Sequence, residues 1–235
     1  MQRGKRDIII SEGYMNNFNA FFNQSPITLV SKGQVILQQG YEPAHAYILK
    51  SGIVKVTSFT SNGEEKLLAF KVAGDLIPTH WVFGQSRVAL HYYQAYTDCV
   101  LYVLDRDAIL QRVESDNAFA RFILDQHIAA DLDRQLRVEA LEQSRAHLKL
   151  LYTFRHLALT YGMGMNQGFI KIDIPFTQQE LANFVGLTRE TTIAALRRLR
   201  RDNLIRSDHR YYVVNTGVMS MAIDDEFDPG VRRLG

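Results

Sequence analysis

The chain has 235 residues, of which 46% are hydrophobic and 22% are charged, a composition typical of a globular protein with one large or two modest domains. No apolar run approaches the roughly 18–20 residues of a membrane span, and Ser11-Glu12-Gly13 interrupts any signal-peptide core after the basic residues 1–7, so we expect a cytoplasmic protein without a membrane partner. The single cysteine, Cys99, excludes an internal disulfide and a four-cysteine iron–sulfur cluster within one chain, and we expect it to be a buried thiol in a strand.

Short apolar segments follow one another between Thr28 and Leu104, and glycines separate them. Asn62-Gly63 is a strong hairpin signal, because both residues tolerate the positive φ angles of a tight turn. We expect strands at residues 35–37, 46–49, 53–59, 66–72, 88–96 and 100–104. Many short strands of this kind predict a small antiparallel barrel or jelly roll.

The pattern changes to helical spacing between Asp105 and Gln143, where neither proline nor glycine occurs. Apolar residues recur at helical spacing at Phe119, Phe122, Ile123, Ala130, Leu132, Leu136 and Ala140. A long helix that joins two domains is a natural dimer seam, and the alternative is that the stripe packs only against its own barrel. Gln126 and Asp133 interrupt the stripe, so it is not a regular heptad coiled coil.

Positive charge is concentrated in residues 144–216, which contain eleven Lys and Arg against five Asp and Glu, a net charge of +6. Residues 1–143 and residues 217–235 each carry a net charge of −2. The basic segment fits a polyanion partner such as nucleic acid, and a solvated basic helix face is the alternative.

A helix and a strand are predicted at the start of this basic segment. Ser144 is the expected N-cap of a helix that runs to about Tyr161 and ends at Gly162-Met163-Gly164. Residues 169–174 alternate like a strand, which Pro175 closes.

The most informative segment is residues 176–191. Thr177-Gln-Gln-Glu180 is a capping box, which predicts that a helix begins there. Gly186 then stands where a tight turn between helices needs a positive φ angle, and Thr188 is the expected cap of a second helix. Two strands around residues 207–210 would follow as a wing. The pattern predicts a winged helix-turn-helix, and an ordinary helical hairpin is the alternative.

The second helix carries Arg189 and Glu190 in its first turn. In DNA-binding proteins of this type, the first turn of the recognition helix reaches base edges in the major groove. Arginine can bind guanine O6 and N7 together, and glutamate can accept from cytosine N4, so we expect these two residues to read bases. The residues expected to contact phosphates or support the interface are Thr177, Gln179, Thr188, Thr191, Arg197 and Arg198.

The chain resembles the catabolite activator/fumarate–nitrate regulator (CRP/FNR) superfamily. Its segment Thr188-Arg189-Glu190-Thr191, after Val185-Gly186, looks like the start of that family's recognition helix. The turn residues Gly33, Gly40, Gly52, Asn62-Gly63 and Gly74-Asp75 also lie where the family's barrel has its turns. The resemblance implies an α+β chain: an N-terminal segment with a cyclic-nucleotide-binding-like β jelly-roll sensor barrel (residues 1–104), a long dimerisation helix (105–143), a winged helix-turn-helix (144–216) and a tail (217–235). It also implies a homodimer that reads a palindromic operator in double-stranded DNA and recruits or blocks RNA polymerase.

Two departures from the family pattern affect the expected ligands. Many members carry a second base-reading arginine five residues after the first, where this chain has Ala194. Cyclic-AMP-binding members hold the phosphate with an Arg-Ser pair, where an ungapped match places Ala89-Leu90. Without that arginine the phosphate has no matched charged partner, so we expect cyclic AMP not to be the effector.

Any effector is therefore expected to be an unknown, less charged small molecule held in an aromatic-rich pocket of the barrel. The alternative for these aromatic residues is core packing with surface tyrosines. The pocket residues predicted from the sequence are His80, Trp81, Phe83, Arg87, Tyr92 and Arg134. No cofactor is identifiable, although His80 is a candidate haem ligand because the resemblance includes haem-based sensors. The alternative is a constitutive or partner-gated regulator whose barrel binds nothing. No nucleophile motif, phosphate loop or metal-ligand cluster predicts an enzyme.

Overall fold

The structure is a computed structural model that describes residues 21–63, 65–165 and 168–224. These residues belong to two compact units, with the boundary between Ala130 and Asp131 inside one helix. Among the described helices, none combines the length and the hydropathy that a membrane crossing requires.

The first unit contains two four-stranded antiparallel sheets, with strand orders β1-β8-β3-β6 and β2-β7-β4-β5. The strands are β1 (Ile27–Val30), β2 (Val35–Leu37), β3 (Ala46–Ser51), β4 (Val54–Phe59), β5 (Glu65–Lys71), β6 (Leu76–Ile77), β7 (Tyr92–Ala95) and β8 (Cys99–Leu104). Apolar side chains from both sheets form one buried cluster, which includes Leu49 and Leu101 from one sheet and Val56 and Tyr93 from the other. The jelly-roll prediction is confirmed, and Cys99 is buried in this core as expected.

The segment between β6 and β7 differs from the prediction of a strand over residues 88–96. Thr79–Val82 form a short helix, α1, and the strand β7 begins only at Tyr92. Before that point the backbone N–H of Ala89 donates to the carbonyl of Tyr41, and the Ser86 hydroxyl donates to the carbonyl of Val88. These loop contacts replace the regular ladder of a strand.

The single long helix predicted for residues 105–143 is wrong, because the chain breaks at Asp116 into α2 (Arg106–Ser115) and α3 (Asn117–Glu142). Asp116 is extended, with φ −123°, and its carboxylate accepts from the backbone N–H groups of Ala118 and Phe119 at 3.0 and 3.1 Å. The bond from Phe119 is the largest cause that lowers the pKa of Asp116. An aspartate that caps the next helix ends the preceding one.

Helix α3 carries two apolar faces rather than one stripe. Phe119, Phe122 and Ile123 are buried within the first unit, so the expected role of Ile123 in a dimer seam is corrected. Large apolar side chains are instead exposed on the other face at Leu124, Ile128, Leu132 and Val138.

The second unit is a winged helix-turn-helix. It contains α4 (Ala146–Tyr161), β9 (Gly162–Gly164), β10 (Phe169–Ile172), α5 (Gln178–Val185), α6 (Arg189–Arg201), β11 (Ile205–Asp208), β12 (Tyr211–Asn215) and α7 (Thr216–Asp224). The sheet order is β11-β12-β10-β9, and β11 and β12 form the predicted wing. Helix α4 is capped at Arg145 without a side-chain bond, so Ser144 is not the cap. Residues 217–224, assigned to the tail from the sequence, are helical in α7.

Candidate nucleic-acid interface

The start of α5 is fixed by the capping box predicted from the sequence. The Thr177 hydroxyl accepts from the backbone N–H of Glu180 at 3.1 Å, and the Glu180 carboxylate accepts from the backbone N–H of Thr177 at 2.7 Å. Gln179 is exposed one residue before Glu180 and donates to the Asn183 side chain at 2.9 Å. The backbone N–H groups of Thr177 and Glu180 are thereby both hydrogen-bonded within the motif. These two bonds fix the residue at which α5 begins.

Gly186 makes the turn to α6 in the left-handed region, with φ 67° and ψ 36°. Thr188 then caps α6, accepting from the backbone N–H of Thr191 at 3.2 Å, and its hydroxyl donates to the Thr191 hydroxyl at 2.9 Å. Both threonines are exposed. The predicted caps and turn are therefore present as expected, and they present the N-terminus of α6 to solvent.

Helix α6 has one buried and one exposed face. Its buried face consists of Thr192, Ala195, Leu196 and Leu199. Arg189 and Glu190 are exposed in its first turn, and among the described residues neither side chain forms an ion pair or a hydrogen bond. The positive end of the helix dipole adds to the arginine charge at this end, which favours an anionic partner.

The arginines in the second half of α6 have different surroundings. Arg198 and Arg201 both lie near the Asp202 carboxylate, at 3.7 and 3.2 Å. Arg200 donates to the Ser207 hydroxyl in β11 at 2.7 Å and so ties α6 to the wing. Arg197 is exposed and has no ion-pair partner in the described part of the chain. Arg198, expected at phosphates, is thus partly neutralised by a neighbour.

The wing and the neighbouring strand β10 supply cations that are not among the site residues predicted from the sequence. Arg210, in the turn between β11 and β12, donates to the Glu180 carboxylate at 3.2 Å. Lys171 lies 3.7 Å from Asp208 and 4.3 Å from the centre of the Tyr211 ring. Arg210 and Glu180 are 30 residues apart, so no short motif in the sequence marks this contact.

A buried polar cluster, also missed in the sequence, positions α5. Asp133 of α3 lies 2.7 Å from Nε2 of His156 in α4, which is 2% exposed. Arg137, one turn further along α3, donates to the backbone carbonyl of Phe184 at 3.1 Å and lies over the Phe184 ring at 3.8 Å. Burial lowers the pKa of Arg137 to about 10, an effect that Tyr161 and Asp133 oppose, so this guanidinium stays charged at neutral pH.

The predicted effector residues do not converge on the interior of the barrel. His80 and Arg87 are exposed, and Phe83 is half-buried against the His127 ring at 5.9 Å between ring centres. Tyr92 packs on Phe59, on the face of its sheet opposite to that of Tyr93.

Two further members of the predicted pocket have other partners. Trp81 is buried beneath the Arg106 guanidinium, at 5.4 Å. Arg134 belongs to the second unit, is exposed, and pairs with Asp131 at 3.4 Å. Within the first unit, His80, Trp81, Phe83, Arg87 and Tyr92 therefore do not line one aromatic pocket.

Two models of known protein domains match this chain. Residues 28–116 match the cyclic nucleotide-binding domain, and residues 119–217 match the Crp-like helix-turn-helix domain. The regulatory protein HlyX of Actinobacillus pleuropneumoniae is 26% identical over 79% of this chain and 76% of its own length. FixK2 from Bradyrhizobium japonicum has the same fold with a TM-score of 0.67, 19% identity, and coverage of 84% of this chain and 96% of FixK2. The regulator CLP of Xanthomonas campestris superposes with a TM-score of 0.65, 19% identity, and coverage of 85% and 98%.

A β jelly roll of the cyclic-nucleotide-binding type followed by a Crp-like helix-turn-helix defines a DNA-binding transcription regulator. The chain belongs to the CRP/FNR superfamily, as its sequence motifs predict.

Proposed function

We propose that this regulator places α6 in the major groove of its operator, where Arg189 binds a guanine and Glu190 accepts from a cytosine. The observation that carries this proposal is the first turn of α6. Arg189 and Glu190 in this turn are exposed, and their side chains have no ion-pair partner among the described residues. Thr177 caps α5 and Thr188 caps α6, and the opposite face of α6 is buried. The caps pre-organise the backbone at the start of α6, so ordering this backbone costs little conformational entropy on binding.

Phosphate contacts are proposed for the polar side chains at the starts of the two helices. Thr177, Gln179, Thr188 and Thr191 are all exposed there. Hydroxyl and amide groups beside a helix N-terminus are suited to phosphate oxygens, and they position the protein without reading sequence. Arg198 keeps a supporting role, since Asp202 competes for its charge.

We infer a homodimer from the exposed face of α3. Leu124, Ile128, Leu132 and Val138 span four turns of one helix, with the polar residues Asp131 and Gln135 among them. Exposed apolar side chains that recur along a helix favour pairing with a second copy. A two-fold dimer reads a palindromic operator, and by family resemblance the complex recruits or blocks RNA polymerase.

For the effector, we propose a ligand that is not a cyclic nucleotide. The position matched to the phosphate-binding arginine is Ala89, which is 1% exposed and whose backbone N–H already donates to Tyr41. A buried phosphate there would lack a charged partner. CLP, with the same fold, is named as responsive to c-di-GMP, a cyclic dinucleotide, so this fold also serves a protein whose ligand is not a cyclic mononucleotide. A regulator whose barrel binds no small molecule remains the second candidate.

The Arg189→Ala variant tests the proposed function. We expect it to weaken binding to the selected operator by roughly 1–3 kcal/mol and to leave binding to random DNA almost unchanged, because only the base contact is lost. Fluorescence anisotropy with both DNAs measures this difference. Arg121→Ala removes an exposed arginine of the first unit, which pairs with Asp125, and should change neither affinity. Equal losses on both DNAs for Arg189→Ala would refute the base-reading role.

A further inference from the structure

Three residues of α6 share the face opposite to its buried side. An α-helix turns about 100° per residue, so Glu190, Ala194 and Arg197 lie within about 60° of one another around the axis. All three are exposed, whereas Thr192, Ala195, Leu196 and Leu199 face the core. Arg198 is rotated by about 100° from Arg197 towards the edge of the exposed face. Arg197 therefore continues the line that begins at Glu190.

Arg197 also differs from the other arginines nearby in its contacts. Arg198 and Arg201 flank Asp202, and Arg200 is bound to Ser207. In the described residues Arg197 has no ion pair and no side-chain hydrogen bond, so binding a new partner breaks no existing contact.

Ala194 lies between Glu190 and Arg197 on this face and ends at its methyl group. Since no longer side chain stands there, the helix can approach the floor of a groove closely at this point. An alanine methyl group is also suited to contact the methyl group of thymine.

We propose that Arg197 is a specificity-determining residue that binds a guanine base, rather than a phosphate contact; this inference rests on the proposed role of α6 in the major groove. From Glu190 to Arg197 the helix rises about 10 Å, which corresponds to roughly three base pairs of B-DNA. Recognition helices of other DNA-binding folds also read bases from side chains about two turns apart on one face. The guanidinium binds O6 and N7 of guanine together.

Selection from a random DNA pool tests this with the full-length protein and three variants: Arg197→Ala, Arg197→Gln and Arg198→Ala. Wild-type protein should enrich a half-site with a G·C pair about three base pairs from the pair read by Glu190. Arg197→Ala should lose the preference at that pair alone, by about 5- to 150-fold, because one bidentate contact is removed. Arg197→Gln should change the preferred pair to A·T, since glutamine matches adenine N6 and N7.

The control Arg198→Ala, at a proposed supporting contact, should weaken binding to all sequences equally and keep the wild-type preference at every position. If Arg197→Ala instead weakens all sequences equally, and the slope of log affinity against log salt becomes shallower by about 0.9, then Arg197 contacts a phosphate and this inference is wrong while the proposed function stands. If wild-type protein enriches no sequence, the proposed function fails, and this inference fails with it.

Discussion

At the scale of single residues, the turn between α5 and α6 depends on Gly186. Its φ of 67° lies in the left-handed region, and no atom outside its immediate neighbours lies within 4 Å of the position that a Cβ would take. The backbone conformation alone, rather than the space available, therefore selects glycine here.

The matched pair Gly186→Ala and Gly186→Asn tests this reading. We expect alanine to lower the free energy of unfolding by about 1–2 kcal/mol, because its Cβ disfavours the left-handed region. Asparagine should cost less, since its side chain tolerates that region. Urea unfolding followed by circular dichroism gives both values. Equal losses for the two variants would show that side-chain packing, and not the φ angle, governs the turn.

Residues whose roles are local could be predicted from the sequence, and residues with distant partners could not. Thr177, Gly186 and Thr188 act on backbone groups at most four positions away, so a short motif contains the whole interaction. In the sequence Asp133 only interrupts an apolar stripe, whereas its partner His156 is 23 residues further along the chain. Arg137 and Phe184 are 47 residues apart. Only the tertiary fold brings such pairs together.

At the scale of elements, the periodicity of apolar residues does not reveal the break between α2 and α3. Residues 105–143 contain no proline or glycine that would mark the end of a helix. In the sequence alone, Asp116 cannot be told apart from an aspartate on the exposed face of a helix. Its role as a cap depends on two backbone N–H groups that point at its carboxylate. The wing and the two helices of the motif, by contrast, were predicted closely because turn residues mark their ends.

The exposed face of α3 leads to a prediction on the association state. The wild-type chain should sediment as a dimer at micromolar concentration, and Ile128→Asp should sediment as a folded monomer, because a charge buried at an apolar seam lacks a partner. Ile128 is 55% exposed in the single chain, so the substitution leaves each protomer's core intact. Analytical ultracentrifugation measures both states.

Arg134→Asp is the control for this experiment, since it places the same side chain on α3 outside the apolar line and should leave the dimer in place. A monomeric wild type, or a dimeric Ile128→Asp variant, would contradict the seam.

At the scale of the whole molecule, the first unit has the fold of a nucleotide-binding domain without the matched phosphate contact. We expect calorimetric titration with cyclic AMP or cyclic GMP to show no saturable heat at physiological concentrations, because Ala89 offers a phosphate neither a charge nor a free N–H. The same preparation should bind its selected operator, which shows that the protein is active. A micromolar isotherm that Arg87→Ala abolishes would mean that the exposed Arg87 has taken over the phosphate.

The charge pattern and the order of domains could be read from the sequence, whereas the lining of the barrel could not. Neighbouring residues of a strand face opposite sides of the sheet, so a one-residue uncertainty in register exchanges inside and outside. Tyr92 and Tyr93 show this directly, since the first packs on Phe59 and the second lies in the core. The aromatic run 91–96 is therefore divided between both faces.

The contact of Arg137 with the backbone of Phe184 also has a thermodynamic consequence. It joins α3 to the last turn of α5. A movement of α3 that breaks this contact therefore changes the free energy of holding α5 in place. Coupling of this kind is reciprocal: whatever strengthens operator binding by moving α3 must itself be favoured, by the same factor, when the operator binds. For the proposed operator complex, this reciprocity means that operator binding should favour the position of α3 that strengthens it.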